Sequence, residues 1–173
     1  APAIMAGNTC LLKHASNVSG CSLAIEELIH QAGFPPTLFQ SLLISSDRVQ
    51  AVIGHASVRA VTLTGSKSAG GSVAAHAGKL IKPSLLELGG NNAIIVSKEA
   101  DLDMAIPAIV FGSVGTTGQR CTTTRRLIIH EEVYDEVKAR LVRAYQQVAR
   151  RIGNPLDGDV LIGPMVDTGA VQL

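Results

Sequence analysis

The sequence predicts an α/β fold in which parallel sheets carry helices on both faces. Three observations point there. Short apolar runs of strand length alternate with segments of helical periodicity along the 173 residues, a pattern that builds parallel sheets through right-handed crossovers. Hydrophobic residues make up 46% of the chain but aromatics only 3%, with no Trp. The core must therefore come from Leu, Ile, Val and Ala, which suits parallel strands buried under helices. Finally, a strand ends in a glycine turn that opens a helix at Thr64-Gly65-Ser66.

Element by element, Thr9 to Lys13 is a short apolar run and reads as a buried strand. From Ser19 to Ala32, Cys21, Ala24, Ile25, Leu28 and Ile29 recur at helical spacing; Gly33 supplies the cap and Pro35-Pro36 prevent continuation. Ser41 to Ile44 is the next strand, and Ser45-Ser46-Asp47 can cap a helix reaching about Gly54. Arg59 to Thr64 is a third strand, followed by an Ala- and Gly-rich helix over Ala69 to Ala77. Ser84 to Leu88 and Ala93 to Val96 are strands on either side of Gly89-Gly90, the best candidate for a domain boundary. A helix follows from Asp101 to about Val114, then a loop from Gly115 to Thr124 and a strand from Leu127 to His130. Glu132 to Arg151 is a long amphipathic helix with Val133, Val137, Leu141, Ala144 and Val148 on one stripe, and Gly153 to Pro164 is extended loop.

Several function classes are excluded as expectations. A net charge of +1 offers no basic face for nucleic acid, and no Lys/Arg cluster is interleaved with aromatics. The longest apolar run, Ala105 to Phe111, contains Pro107 and falls far short of the roughly 18 residues of a membrane span. No basic-then-apolar secretory signal opens the chain, and Asn17-Val18-Ser19 is then a chance sequon. Three cysteines with no CxxC pair argue against disulfides or zinc, and the five histidines lack metal-ligand spacing. His30, His55 and His76 read as surface residues. The expected setting is cytoplasmic, with a mitochondrial matrix also open, and the expected partner is a small molecule. The chain starts Ala1-Pro2 and stops at Val171-Gln172-Leu173, which reads as an internal fragment of a longer protein.

Four groups of residues carry possible chemistry. Gly65 lets the chain turn close to a ligand, and Ser66 can cap the following helix or bond a phosphate at its N-terminus; a purely structural βα turn looks the same. Lys13 stands at the end of the first strand, where α/β sheets bind ligands, or is simply a solvated lysine. Glu87 interrupts an apolar strand. Buried there, it would favour its protonated form and approach the range useful for proton transfer; alternatively it is an edge-strand glutamate facing water. Cys121 is flanked by small, polar and cationic residues, Gly115-Thr116-Thr117-Gly118-Gln119-Arg120 before it and Thr122-Thr123-Thr124-Arg125-Arg126 after it. Such surroundings favour thiolate, although free cysteines are also often inert packing residues. Cys10 and Cys21 lie among Leu, Ile and Ala and are assigned to packing.

Together these pieces resemble the aldehyde dehydrogenase superfamily over essentially the whole chain. The resemblance rests on Pro2-Ala3 with Ala6-Gly7-Asn8-Thr9, the turn from Thr64-Gly65-Ser66 to Gly70, and Glu87-Leu88-Gly89-Gly90-Asn91. It extends to Gly118-Gln119-Arg120-Cys121 and to Gly153-Asn154-Pro155 followed by Gly163-Pro164-Met165. It implies residues 1–90 as the C-terminal part of a Rossmann-like NAD(P)-binding domain and residues 91–173 as the N-terminal part of a catalytic α/β domain. It implies Cys121 as nucleophile and Glu87 as the base that activates water. Lys13 would contact the adenosine ribose, Gly65, Ser66 and Gly70 would form the pyrophosphate turn, and Leu88 would meet the nicotinamide through its backbone. The family's oxyanion Asn lies upstream of residue 1 and its nicotinamide-ribose Glu beyond residue 173.

Where many relatives carry a ribose-binding Glu this chain has Ser16, which leaves room for the 2′-phosphate of NADP, so either NAD or NADP is implied. The stretch Leu42 to His55 lacks the glycine-rich turn of many relatives. Leu12-Lys13-His14-Ala15 and Leu43-Ile44-Ser45-Ser46 look like the succinate-semialdehyde group, whereas the segment around Cys121 looks like the aminoadipic-semialdehyde group. An aldehyde substrate and a homodimer or homotetramer are the implied partners. A non-catalytic module on the same fold would lack Cys121 or Glu87, and a coenzyme-A-acylating relative could dispense with Glu87. The isolated 173-residue chain is expected to expose apolar sheet edges and to give no NAD(P)H from aldehydes; measurable turnover by the chain alone contradicts this.

Overall fold

The computed structural model describes residues 2–172. Contacts gather into two units, one of the chain up to Val61 together with Val73–Ser84, the other of Thr62–Ser72 together with the chain from Leu85 onward. In the first, α1 (Pro2–Met5) leads into β1 (Cys10–Leu12); α2 (Ser19–Gln31) then returns the chain to β2 (Phe39–Ser41), and α3 (Val49–Gly54) follows a short 3₁₀ turn. β1 and β2 are parallel, with Cys10 opposite Phe39 and Leu12 opposite Ser41. That pairing moves the second strand N-terminal to the expected Ser41 to Ile44; only Leu42 continues the ladder, donating its N–H to Leu12 O at 2.8 Å. Gly33 ends α2 as expected, with φ of 87° and its N–H on His30 O at 2.9 Å.

The face of α2 that meets β2 is polar. Ser22 is fully buried, Ser41 Oγ donates to Ser22 O at 2.9 Å, and the Ser41 N–H donates to Glu26 Oε2 at 2.8 Å. The predicted apolar stripe points elsewhere: Leu28 is 63% exposed and Cys21 is exposed rather than packed, while Cys10 is half-buried. β1 is likewise not the buried strand expected, since Leu11 is half exposed. His55 is exposed, but His30 and His76 are half-buried, each with an Nε2 shielded from solvent and without a partner among the described residues. Lys82 Nζ donates to Ile53 O at 2.6 Å and His55 O at 2.7 Å, closing the C-terminal end of α3.

β3 (Val61–Thr64) pairs with β4 (Ser84–Glu87), and α4 (Lys67–Lys79) joins them. In the second unit, β5 (Asn92–Val96), α5 (Leu102–Val114), β6 (Thr124–Ile129) and α6 (Tyr134–Ala149) form a parallel β5–β6 pair covered by two helices. A β-bridge between Ile152 and Ile162 closes the following loop, and α7 (Thr168–Val171), which the sequence reading passed over, is capped by Asp167.

Period-two alternation decides which side of β5–β6 is covered. Ile94, Val96, Leu127 and Ile129 pack with Ile106 and Ile109 of α5 and Val137 and Leu141 of α6. Ile95 and Ile128 turn to the opposite face and are 75% and 54% exposed. Asp101 caps α5 by accepting from the N–H groups of Asp103 (3.0 Å) and Met104 (3.3 Å). Arg140 of α6 donates to Asp103 Oδ1 at 2.6 Å and Glu136 Oε1 at 2.7 Å. These bonds, that to Asp103 first, hold its guanidinium more firmly protonated. Among the described residues, no helix is long and apolar enough to cross a membrane.

Ile109 has no exposed surface. In the full-length protein, Ile109→Ala is expected to lower unfolding free energy by about 2–5 kcal/mol, read from urea denaturation; a loss below about 1 kcal/mol would show that this core does not carry the fold.

Candidate active site

Cys121 is presented by an unusual piece of backbone. α5 ends at Val114, and Thr116, Thr117 and Gly118 then all adopt left-handed conformations, with φ of 54°, 55° and 70°. Glycine adopts this region freely, but a β-branched residue does so only under constraint from its surroundings. The constraints are visible. The Gln119 N–H donates to Thr116 O at 3.0 Å, and Thr117 Oγ1 reaches Gly163 O at 3.4 Å. Arg120 folds back over Gly115, donates from Nη2 to Phe111 O at 3.1 Å, and lies 5.1 Å from the Phe111 ring centroid, within cation–π range.

Thr123, only 4% exposed, staples the loop: its Oγ1 donates to Gly118 O at 2.8 Å and accepts the Arg120 N–H at 3.1 Å. Cys121 itself is exposed. Its N–H has no acceptor among the described residues, and its carbonyl accepts from Asn92 Nδ2 at 2.6 Å.

Glu87 closes β4. It is exposed, not enclosed in the apolar strand as one sequence expectation had it, because β4 turns Leu86 inward and Glu87 outward. Its carbonyl accepts the Gly65 N–H at 3.0 Å, tying the end of β4 to the glycine turn after β3. Thr64, Gly65, Glu87 to Gly90, Gln119 to Thr122 and Arg125 line one open cleft of about 540 Å³ in the second unit. The structure therefore brings Glu87, Leu88, Gly65 and Cys121 together, although they are far apart in sequence.

The other candidates lie around or away from this cleft. Ser66 Oγ accepts the Ala69 N–H at 3.1 Å and caps α4, leaving the amides of Lys67 and Ser68 for an outside acceptor. Gly70 is buried; its N–H donates to Ser66 O at 2.9 Å, and a Cβ there would come within 2.6 Å of Leu88 Cδ2. Its bare surface admits the Leu88 side chain. Lys13 and Ser16 belong to the first unit. Ser16 lines a smaller cleft of about 270 Å³ with His14, Ser19 and Leu42 to Ser45, while Lys13 is half-buried just before it. Sequence reasoning missed Asn92 and Thr123; the only hints were polar residues at the mouths of two apolar strands.

The aldehyde dehydrogenase family model matches residues 1–172. The chain belongs to the aldehyde dehydrogenase family. It is 47% identical over 165 residues to a succinate-semialdehyde dehydrogenase [NADP(+)] 1 of Mycobacterium tuberculosis (strain ATCC 25618 / H37Rv), covering 95% of this chain and 36% of that protein. A succinate-semialdehyde dehydrogenase [NADP(+)] of Mycobacterium leprae (strain TN) is 45% identical over 174 residues, covering 100% of this chain and 38% of its own length. The chain thus spans just over a third of these curated relatives. Among solved structures, a succinic semialdehyde dehydrogenase from Streptococcus pyogenes in complex with NADP+ superposes with a TM-score of 0.92 at 35% identity, covering 96% of this chain and 36% of that one. Gox0499, solved for cofactor and substrate selection, gives 0.94 at 44% identity, with 99% and 37% covered.

Two glycines of this aldehyde dehydrogenase chain should respond oppositely to alanine. A Cβ on Gly90 would lie 3.0 Å from Asn92 Oδ1 and 3.1 Å from Cys121 O, whereas one on Gly71, inside α4, meets nothing within 4 Å. Gly90→Ala is expected to destabilise the full-length protein by about 1–3 kcal/mol. Gly71→Ala should be neutral or stabilising by up to about 1 kcal/mol. Urea unfolding of both variants checks this, and equal effects contradict it.

Proposed function

We propose that the protein carrying this chain oxidises a semialdehyde to its carboxylate, with Cys121 as nucleophile and Glu87 as general base. The observation that carries the reading is that both residues line one cleft. Cys121 Sγ, as thiolate, adds to the aldehyde carbonyl and gives a thiohemiacetal. The unengaged Cys121 N–H is suited to donate to the oxyanion that forms. A bound nicotinamide would supply the hydride acceptor for oxidation of that carbon; loss of the hydride would leave a thioester on Cys121. Glu87 takes a proton from water as its oxygen attacks the thioester; the carboxylate departs and Cys121 Sγ leaves as thiolate.

The residues present suit a dinucleotide. The amides of Lys67 and Ser68 and the Ser66 hydroxyl would hold the pyrophosphate at the start of α4. The Gly65 N–H is already engaged by Glu87 O, so Gly65 contributes an unhindered approach rather than a donor. Gly70 seats Leu88, whose backbone lines the cleft where the nicotinamide would lie. Lys13 and Ser16 would take the adenosine ribose, and among the described residues no carboxylate lines the Ser16 cleft. That absence supports NADP over NAD, in keeping with the names of the mycobacterial relatives, and those names support succinate semialdehyde as substrate. Residues 1–90 then belong to the cofactor domain and residues 91–173 to the catalytic domain.

With the full-length protein, succinate semialdehyde and NADP+, Cys121→Ala is expected to abolish the pre-steady-state burst of NADPH. Glu87→Gln should retain a burst but lose roughly 10²- to 10⁴-fold in turnover. A burst from the Cys121 variant contradicts the scheme. Ser16→Glu should raise the KM for NADP+ by at least about tenfold, through like-charge repulsion with the 2′-phosphate, and spare NAD+; equal effects on both cofactors contradict the placement of Ser16.

A further inference from the structure

Asn92 stands where the two halves of the cleft are tied together. It opens β5 opposite Thr124 of β6, and the register then slips so that Ala93 faces Arg126, leaving Arg125 as an extra residue. Such bulges re-aim side chains beside functional sites. Asn92 Nδ2 donates to Cys121 O at 2.6 Å and to Thr123 O at 3.1 Å. A primary amide nitrogen has two hydrogens, and here each meets one carbonyl. Both partners are acceptors only, so the reverse amide orientation would place oxygen against two oxygens.

Two further facts isolate this contact. Among the described residues, Asn92 is the only group that donates to the Cys121 carbonyl. Gly90, two residues earlier on the segment that follows Glu87, is bare where a Cβ would press on both Asn92 Oδ1 and Cys121 O. The backbone of Gly90 is thus drawn close to the pair it would otherwise disturb.

We propose that Asn92 is a positioning residue for the nucleophile. It fixes the Cys121 carbonyl, and through the joined peptide planes the Cys121 N–H and Sγ, relative to the segment that carries Glu87. Thr123 holds residues 118 to 120; Asn92 holds Cys121 itself. The inference rests on the reading of Cys121 as nucleophile. Asn92→Asp keeps the shape but replaces the donor with a carboxylate facing two carbonyls, Asn92→Ala removes the contact, and Asn92→Ser leaves a donor too short to reach both.

The test uses the full-length protein with NADP+ and succinate semialdehyde. It measures the burst rate, the rate of Cys121 alkylation by iodoacetamide, and the KM for NADP+. Asn92→Asp and Asn92→Ala are expected to slow the burst roughly 10- to 100-fold, the scale of a misplaced reacting group, and to change the alkylation rate. The KM for NADP+ should move by less than about twofold, and Asn92→Ser should fall between these variants and the parent. Parent-like burst and alkylation rates in Asn92→Asp overturn the proposal. If the Asp and Ala variants lose their fold by circular dichroism, Asn92→Ser decides: a slowed burst at unchanged KM supports positioning, and a parent-like burst overturns it. A burst that survives Cys121→Ala overturns the nucleophile assignment itself, whereas a Cys121-dependent burst indifferent to Asn92 overturns only the positioning role.

Discussion

The parallel pairing of β5 with β6 determines where both side chains of the candidate site can lie. Glu87 reaches β5 through the short connection Leu88 to Asn91, and Cys121 reaches β6 through Thr122 and Thr123. Two tethers of a few residues therefore enter neighbouring strands side by side, with Asn92 opposite Thr124. The register is enforced from below, because Ile94, Val96, Leu127 and Ile129 must all face α5 and α6. A one-residue slip would turn these four to the open face and expose the core. The spacing of carboxylate and thiol is thus a consequence of hydrophobic packing on the far side of the strands.

The cysteine loop adds strain to that frame. Left-handed backbone at two consecutive threonines is disfavoured by about 1–3 kcal/mol per residue. It is offset by contacts that all converge on the turn: Arg120 over Phe111, the buried Thr123 hydroxyl between Gly118 and Arg120, and the Asn92 amide on Cys121. The result is a thiol in an open cleft whose backbone amide has no acceptor among the described residues and whose carbonyl is held. A loop free to relax would lose that combination.

Much of this was legible in the sequence, and the failures have physical causes. Alternation of strand-length and helix-length segments fixed the α/β class, and Cys121, Glu87 and the Gly65 turn each carry a local signature. The helix α2 is where the periodicity puts it, but the assignment of Cys21 to packing failed because apolar neighbours such as Ile25 and Leu28 do not show that anything covers them. The sequence left Glu87 either buried or facing water, because an apolar neighbourhood does not set the phase of a strand; Leu86 takes the inward position and Glu87 the outward one. Asn92 and Thr123 were invisible for a different reason. Their importance lies in which carbonyls the tertiary structure brings to them, and no run of residues encodes that. The same holds for Gly70 and Gly90, whose missing side chains matter only once Leu88 and Cys121 are in place.

The most direct test of the central claim is to locate the covalent intermediate. The full-length protein carrying Glu87→Gln would be mixed with NADP+ and succinate semialdehyde, quenched in acid, digested, and mapped by mass spectrometry. An acyl group on the peptide containing Cys121, formed only when NADP+ is present, is the result expected of a thioester left by hydride transfer. An acyl group on Cys10 or Cys21 instead, or NADPH production with Cys121 unmodified throughout, would contradict the account.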